Sequence, residues 1–382
     1  MGNKKFVLVI DGGGSWGALP AKFCAKLENS LGNGIRLKDK IDLFVGTSTG
    51  ALICSALNIG RGGETLGLRA DKIFSKYTDL IKTVFTENDN LSLPEQIFRI
   101  FTDVSLDPRY TSEGIRTAFE DVFSNNVVNT FGKYDLRRTL DNRYKPLAIV
   151  SYHLNAENKQ NADNQLQPVN PLKVFKSWQA EDKDTKVIDA LIASSSVPTV
   201  HRPQEFDNKF FIDGGLLAED PILIAVQCVY EMLENKLLGS ERDGGERKPI
   251  FEAGDEVHFI SVGTGFEERK FDTTDLDVAG ELFWAKRIAK VFLAGQHSIN
   301  SMMYKVLEYM ADNSKLSLNF HRFNYNIQSH LNNEELISDD EKRFKKGAEK
   351  NWKLLEAAAN SWYTELEGNI KFNKLVGLMS EN

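Results

Sequence analysis

A serine at the centre of a glycine-flanked turn is the first residue that suggests chemistry. Ser48 lies within Gly46–Gly50 (GTSTG), after the apolar run Ile41–Val45 and before small residues that favour a helix. At a sharp turn from strand to helix, a serine hydroxyl projects from the sheet edge, and the glycines avoid clashes. The N–H groups that begin the helix would favour a developing oxyanion. This context indicates a nucleophile, with an ordinary glycine turn as the alternative.

A second glycine-rich turn follows the first apolar run of the chain. The glycine loop, Asp11–Gly14 (DGGG), leaves several backbone N–H groups uncovered by side chains. Such a loop can cradle an anion, which is either a phosphate or a tetrahedral oxyanion. Thr264 and its neighbouring glycines would extend a phosphate site, although the loop lacks a following Gly-Lys-Ser/Thr and the G-x-G-x-x-G spacing. The residues alone leave both ligands open.

A serine nucleophile needs a base, and an aspartate is the better candidate. Asp213 ends a short apolar run before Gly214-Gly215. Partial burial there would raise its pKa from about 3.9 towards that of a useful base. A plain Asp-Gly turn is an equally good interpretation. Of the six histidines, His201 could approach the site, and His258 begins a strand and is expected to be structural.

These turns require a scaffold that brings several strand ends together. Short apolar runs broken by glycines alternate with helical periodicity, which is typical of an α/β sheet with parallel strands. Further strands are predicted at Phe6–Ile10, Pro146–Tyr152, Phe210–Asp213 and His258–Val262, the last of these as the final strand. Helices are predicted at Ala18–Leu31, Ala51–Leu57, Val187–Ser195 and Pro221–Leu233.

Composition excludes several classes of protein. The 382 residues include 47 Lys and Arg and 54 Asp and Glu, for a net charge of −7, and 41% are hydrophobic. These values argue against a disordered chain, a collagen-like repeat and a basic nucleic-acid binder. Cys24, Cys54 and Cys228 form no CxxC pair, so neither a metal cage nor a disulfide framework is expected. The run Phe6–Ile10 is too short for a signal peptide or a membrane span, so a cytoplasmic location is expected.

The region beyond about residue 270 is expected to be mainly helical. Apolar residues recur at steps of three and four from Phe344 to Leu366, which predicts a long helix packed on the α/β core rather than a partner or membrane helix. Residues 73–104 are also expected to be helical, with packing favoured over a lid or a membrane face. Because the turns at residues 11, 48 and 213 must converge, we predict one domain over residues 1–270 and a helical C-terminal region over 271–382.

Taken in order, these motifs resemble those of the patatin-like phospholipases. Asp11–Gly17 (DGGGSWG) is similar to the glycine-rich oxyanion loop of the family, and Gly46–Gly50 to its nucleophile elbow. Asp213–Gly215 resembles the motif that holds its catalytic aspartate. Ala193–Pro198 (ASSSVP) and Ser261–Gly265 (SVGTG) resemble two further motifs. The likeness covers about residues 5–265.

The resemblance implies a fold and a reaction. The expected fold is a three-layer α/β/α sandwich with a mainly parallel central sheet and a helical C-terminal extension. The expected enzyme is a serine lipid acyl hydrolase of phospholipase A or lysophospholipase type. In it, Ser48 is the nucleophile and Asp213 the general base, and the backbone amides of Gly12, Gly13 and Gly14 form the oxyanion hole. The resemblance implies no metal or other cofactor.

The resemblance also implies partners. The substrate would be a phospholipid or another acyl lipid, reached by transient association with a membrane surface, and no nucleic acid polymer is implied. A small-molecule activator and an oligomer are left open. Some bacterial members are membrane-degrading effectors switched on by a nucleotide second messenger, and that role is also open.

Two positions depart from the family pattern. Trp16 stands where members commonly have Arg or Lys, so it cannot supply charge to an oxyanion or head group, and its indole would cover the acyl chain or lie at a lipid interface. Asp220 stands where many members have Asn, which is expected to change only local hydrogen bonding. Two other functions stay open: a catalytically weak lipid-binding pseudo-enzyme, and a nucleotide-dependent enzyme that binds phosphate at Asp11–Gly14.

Overall fold

The computed structural model describes most of the chain outside its longer connections. The described residues are 2–32, 34–59, 67–76, 112–123, 130–131, 145–157, 169–198, 201–239, 248–266, 295–296, 298–309, 316–330 and 344–381. Most of the 73–104 segment, for which helices were predicted, lies outside them.

An eight-stranded sheet forms the centre of the molecule. Neighbouring strands run β8-β7-β1-β2-β3, all parallel, and β4 adds an antiparallel strand beside β3. The parallel arrangement confirms the predicted α/β class. The strands are β1 (Lys4–Ile10), β2 (Leu43–Thr47), β3 (Leu147–His153), β4 (Leu172–Lys176), β5 (Gln204–Phe206), β6 (Lys209–Asp213), β7 (Glu256–Val262) and β8 (Ser317–Phe323).

Strand β6 pairs with β3 beyond the point where β2 ends. The first half of β3 pairs with β2 as far as Thr47, opposite Val150. The second half of β3 pairs with β6, with Ser151 opposite Asp213. Since β4 lies along the other edge of β3, β2 and β6 share one edge. The end of β6 therefore meets the end of β2.

Helices cover both faces of the sheet and create two hydrophobic cores. In β1, Phe6, Leu8 and Ile10 point into one core, and Val7 and Val9 point into the other. Such alternation is expected of a strand that is buried on both faces. The helices are α1 (Ala18–Leu31), α2 (Leu37–Lys40), α3 (Thr49–Ile59), α4 (Ser112–Phe123), α5 (Val187–Ser195), α6 (Gly215–Ala218), α7 (Ile222–Glu234), α8 (Phe344–Glu365) and α9 (Ile370–Ser380).

Each core draws on different helices. Helices α1, α3, α5, α8 and α9 contribute to the first core, and α7 contributes to the second. The predicted bounds of α1 and α5 are confirmed. Cys24 and Cys54 are buried in the first core. The layers are therefore helix, sheet and helix, as the three-layer prediction requires.

The C-terminal region supplies a strand as well as helices. The prediction that the strand at 258–262 is the last one is wrong, because Ser317–Phe323 pairs in parallel with all of β7. This strand carries polar residues between its apolar ones, and it lies at the sheet edge, so it lacks the apolar run of a central strand. The domain division at residue 270 stays a prediction.

The long C-terminal helix packs on the core as predicted. In α8, Trp352, Leu355, Ala359 and Trp362 are buried, and the Trp362 ring lies 5.3 Å from that of Phe23 in α1. Within the described ranges, no helix has both the length and the apolar composition needed to cross a bilayer.

Candidate active site

The turn between β2 and α3 holds Ser48 in a backbone conformation that few residues adopt. Strand β2 ends at Thr47, and α3 begins at Thr49. Ser48 between them has a φ of 51°, in the left-handed region that is unfavourable for a residue with a side chain. This strained turn is the elbow that the G-x-S-x-G pattern predicts. The carbonyl oxygen of Ser48 accepts a hydrogen bond from Leu52, which joins the elbow to the first turn of the helix.

Both glycines of the pentapeptide are required by close backbone contacts. A Cβ atom on Gly46 would lie 2.5 Å from the nitrogen of Ala51. A Cβ atom on Gly50 would lie 2.2 Å from the carbonyl oxygen of Ile10. Any larger residue at either position would collide with backbone that cannot move aside. The spacing of the motif thus follows from the packing of the elbow against β1.

The structure brings Ser48 and Asp213 into direct contact. The Ser48 hydroxyl donates a hydrogen bond of 2.8 Å to Oδ2 of Asp213, although 165 positions separate the two residues. The other carboxylate oxygen, Oδ1, accepts a 2.7 Å bond from the backbone N–H of Gly215. The bond from Gly215 therefore orients the carboxylate so that its other oxygen faces the Ser48 hydroxyl. Such a pair can transfer a proton from a serine that attacks a carbonyl.

Burial tunes Asp213 towards a base. Loss of water around the carboxylate raises its pKa from 3.8 to about 6, and the hydrogen bonds from Gly215 and Ser48 oppose part of this rise. At neutral pH the group is mostly ionised, yet it is far more basic than an exposed aspartate. A base with a pKa near the working pH accepts a proton efficiently in a transition state.

Ser194 supports the nucleophile, a role that the motif comparison did not assign. Its Oγ accepts a 2.8 Å hydrogen bond from the backbone N–H of Ser48 and donates a 2.5 Å bond to the carbonyl of Val150. The residues after it hold the base, because the carbonyl of Ser196 accepts a bond from the Asp213 N–H. The segment Ala193–Pro198 therefore contacts both catalytic candidates. Its run of serines was the sequence signal that could have predicted this supporting role.

The glycine loop passes beside Ser48, but its three amides are not equivalent. A Cβ atom on Gly12 would lie 3.5 Å from the Cβ of Ser48. The Gly12 N–H, however, donates a 2.8 Å hydrogen bond to the carbonyl of Glu219. This N–H is therefore engaged in the structure, and a contribution of the Gly12 amide to an oxyanion hole stays a prediction. The Gly13 N–H donates no hydrogen bond within the described part of the chain.

Thr264 fixes the shape of this loop. Its hydroxyl donates a 2.9 Å hydrogen bond to the carbonyl of Gly12. It also lies so close to Gly13, whose φ is 155°, that a Cβ atom there would be 2.4 Å from Oγ1. Under the phosphate-binding alternative, Thr264 would extend the anion site; in the structure, its hydroxyl bonds to the glycine loop itself.

His201 and His258, the two histidines considered from the sequence, form hydrogen bonds with groups other than Ser48 and Asp213. His258 lies inside β7, and its Nδ1 is 3.0 Å from Nε2 of His321 on the adjacent strand β8. This cross-strand pairing agrees with its predicted structural role. His201 is buried, and its backbone N–H donates to the carbonyl of Val197. The hydroxyl of Ser48 is thus directed at a carboxylate.

Comparison with known proteins identifies the family of the chain. The profile of the family described as "Patatin-like phospholipase" matches residues 8–226, which is more than half of the chain and includes both Ser48 and Asp213. The chain belongs to this family. The expected family membership is therefore confirmed.

Named members of the family resemble the chain at a low level of identity. "Patatin-like protein 1" of Arabidopsis thaliana is 26% identical over 301 residues, which cover 74% of this chain and 62% of that protein. The "cGAMP-activated phospholipase" of Vibrio cholerae is 24% identical over 289 residues, with 72% and 68% covered. The chain spans about two thirds of the length of the plant relatives it matches, between 62% and 66% for three of them. Among solved structures, VipD from Legionella pneumophila aligns with a TM-score of 0.32 and 12% identity, covering 93% of this chain and 67% of that one.

At the first departure from the family pattern, Trp16, the structure shows an apolar contact. The indole is half-buried and packs against the first core. Its backbone N–H donates to the carbonyl of Gly13, which closes the turn after the glycine loop. Coverage of an acyl chain by this ring stays a prediction.

At the second departure, Asp220, the change reaches further than predicted. Its Oδ1 accepts a hydrogen bond from the N–H of Ile222 at the start of α7, which is the expected local contact. Its Oδ2, however, lies 3.1 Å from the guanidinium of Arg322 in β8 and accepts a 2.8 Å bond from the hydroxyl of Tyr304. The prediction of a purely local effect is therefore wrong.

The region around Asp220 is rich in buried acids. Arg322 also pairs with Asp11, and the neighbouring Glu219 is buried as well. Loss of water and the nearby Asp11 and Asp213 raise the pKa of Glu219 to about 8, so this carboxyl is mostly protonated at neutral pH. Sequence reasoning missed Arg322, because a single arginine in an edge strand carries no motif.

Proposed function

We propose that this protein is a serine lipid acyl hydrolase that cleaves fatty-acyl esters, with Ser48 as nucleophile and Asp213 as general base. The observation that carries the proposal is the 2.8 Å hydrogen bond between the Ser48 hydroxyl and the buried Asp213 carboxylate. It occurs at a strained elbow in a chain of the patatin-like phospholipase family. The strain and the desolvation are both costs that a merely structural turn would not need.

The first half of the proposed reaction forms an acyl-enzyme. The Ser48 oxygen attacks the ester carbonyl while Asp213 Oδ2 accepts the hydroxyl proton, which gives a tetrahedral intermediate with a negative oxygen. We assign the stabilisation of that oxygen to the Gly13 amide, since the Gly12 amide already donates to the carbonyl of Glu219. As the intermediate collapses, Asp213 returns the proton to the leaving alcohol, and the carbon–oxygen bond to the alcohol breaks.

The second half repeats these steps with water. Water attacks the acyl-enzyme carbonyl while Asp213 accepts one of its protons. Collapse of the second intermediate returns that proton to the Ser48 oxygen and releases the fatty acid. One carboxylate thus serves both steps, which requires that its pKa lie within reach of the working pH, as its burial provides.

We propose a phospholipid or another acyl lipid as the substrate, reached at a membrane surface. The family description supports this class, and the half-buried indole of Trp16 next to the glycine loop suits an apolar chain better than an anion. Transient contact with the membrane is part of the proposal. The position of the cleaved ester bond is an outcome of the assay below.

The test is hydrolysis of fluorogenic phospholipids in mixed vesicles by the wild type, Ser48→Ala and Asp213→Asn. We expect both variants to lose nearly all activity. Ser55→Ala is the matched control, because Ser55 is a buried serine of α3, the helix that follows Ser48, and its hydroxyl has no hydrogen-bond partner within the described residues. Reaction with a fluorophosphonate should label the wild type and the Ser55→Ala variant alone. Full activity in Ser48→Ala would refute the proposed site, and wild type that binds vesicles without turnover would support the lipid-binding alternative.

An activator arm belongs in the same assay. Two bacterial relatives are named cGAMP-activated phospholipases. Hydrolysis measured with and without cGAMP therefore asks whether the proposed activity is regulated here. Turnover that rises only with the nucleotide would extend the proposal to a regulated enzyme, and equal turnover would limit it to a constitutive one.

A further inference from the structure

Arg322 joins the segment that carries Asp11 to the segment that carries Asp220. Its guanidinium forms a two-pronged pair with Asp11, with Nη1 at 2.8 Å from Oδ1 and Nη2 at 2.6 Å from Oδ2. Nη1 also lies 3.1 Å from Oδ2 of Asp220 and donates a 2.7 Å bond to Ser261. Both carboxylate side chains are almost completely buried, at 1% exposure. The planar fork of arginine suits this geometry, and a lysine ammonium cannot reproduce it.

The two carboxylates belong to the segments that matter for the proposed reaction. Asp11 begins the glycine loop, and the next residue, Gly12, donates its N–H to the carbonyl of Glu219. Asp220 follows Glu219 directly and closes the segment that starts at Asp213. The ion pair and the backbone hydrogen bond therefore connect the same two segments. On each segment, the two contacts are made by adjacent residues.

Tyr304 contacts both the guanidinium and two of its partners. The Tyr304 hydroxyl is within hydrogen-bonding distance of both Asp220 and Ser261, at 2.8 Å and 2.6 Å. The Arg322 guanidinium carbon lies 5.8 Å from the centre of the Tyr304 ring. Arg322 is thus held by Ser261 of β7, by Tyr304 in the helical segment 298–309, and by its own place in β8.

We propose that Arg322 is a positioning residue, which sets the placement of the glycine loop against the Asp213 segment by bridging Asp11 and Asp220. The proposal rests on the proposed function for its catalytic consequence, but the structural bridge can be tested without turnover. It assigns the edge strand of the C-terminal region a part in building the oxyanion hole. Removal of the fork should shift the Gly13 amide away from the position that a developing oxyanion would occupy.

The test compares the wild type, Arg322→Lys and Asp11→Asn by hydrogen exchange and by kinetics. Arg322→Lys keeps the positive charge, and Asp11→Asn keeps the shape of the acceptor, so either variant decides the question if the other fails to fold. We expect amides in residues 8–19 to exchange about tenfold faster, because a charge-assisted hydrogen bond no longer opposes local opening. We expect kcat on the vesicle substrate to fall by about 10- to 100-fold with KM changed by less than about threefold, since a displaced oxyanion donor acts in the transition state.

Lys176→Met is the matched control. Lys176 is a buried cation of β4 that pairs with Glu231 of α7, and neither residue touches the glycine loop. This variant should lower the unfolding temperature and leave kcat and exchange in residues 8–19 unchanged. Wild-type exchange and kcat in both site variants would overturn the proposal. A wild type that cleaves no ester would instead refute the proposed function, and the exchange measurement alone would then decide the role of Arg322.

Discussion

Replacement of the proposed base should make the protein more stable while it removes activity. Asp213 is a buried carboxylate whose pKa has risen from 3.8 to about 6. When the pKa of an acid is higher in the folded state than in the unfolded chain, ionisation of that acid destabilises the folded state. Each pKa unit corresponds to about 1.36 kcal/mol, so the ionised group costs the folded state roughly 3 kcal/mol at pH 8.

An asparagine at this position should avoid that cost and keep the hydrogen bonds. Its Oδ1 can still accept from the N–H of Gly215, and its amide N–H₂ can donate to the Ser48 hydroxyl, which also accepts hydrogen bonds. The side chain has nearly the same size and shape. We therefore expect Asp213→Asn to raise the free energy of unfolding by roughly 2–3 kcal/mol at pH 8.

The gain should depend on pH in one direction. Between a pH of about 4 and about 6, the folded wild type holds a proton on Asp213 that the unfolded chain has released, so wild-type stability falls as the pH rises. The stability of the asparagine variant lacks this pH dependence, because asparagine does not titrate. The stability gain of the variant should be full above pH 7, about 1.5 kcal/mol at pH 5, about 0.5 kcal/mol at pH 4, and absent near pH 3.

The assay is urea unfolding of both proteins at pH 8, 7, 6 and 5, followed by circular dichroism and by tryptophan fluorescence. Ser55→Ala serves as a control for the removal of a buried polar group from the same region, and its effect should not vary with pH. Loss of stability in Asp213→Asn at pH 8, or a gain that is equal at pH 8 and pH 5, would show that Asp213 is not a desolvated carboxylate. The reasoning about its role as a base would then fail as well.

Three further outcomes follow from the site geometry. Activity requires ionised Asp213, so kcat/KM should rise with pH and level off above an apparent pKa of about 6, as measured with a neutral ester. Gly13→Ala should lower kcat more than about 100-fold, because its Cβ would lie 2.4 Å from a threonine oxygen, whereas Gly14→Ala meets no atom within 4 Å and should be milder. Ser194→Ala leaves the Ser48 N–H unpaired and should cost about 1–3 kcal/mol of stability and at least about tenfold in kcat, as urea unfolding and ester hydrolysis would show.

Local patterns were sufficient to predict the elements that carry the site. The bounds of α1 and α5 agree with the apolar periodicity, and the Ser48 elbow follows from the glycines on either side of it. Such signals are short-range, since they depend on steric limits and on burial within one element. The residues around Asp213 favoured a catalytic base and a plain Asp-Gly turn equally. Only the ordered set of motifs favoured the base.

Long-range contacts could not be predicted in this way. The use of the Gly12 amide by Glu219 depends on how two loops 207 positions apart meet. Strand β8 was missed because an edge strand with alternating polar residues lacks a continuous apolar run. Arg322 was missed with it, although its guanidinium links the glycine loop to Asp220.

Several unfavourable features of this molecule lie around the candidate site. Ser48 has a strained backbone, Asp213 is a desolvated carboxylate, and Asp11 and Glu219 are buried acids close by. Two hydrophobic cores on either side of β1 offset these costs. Strain and buried charge in a marginally stable fold persist when function requires them. Replacement of the desolvated Asp213 should therefore raise stability and remove activity, whereas substitutions in the two cores should lower both together.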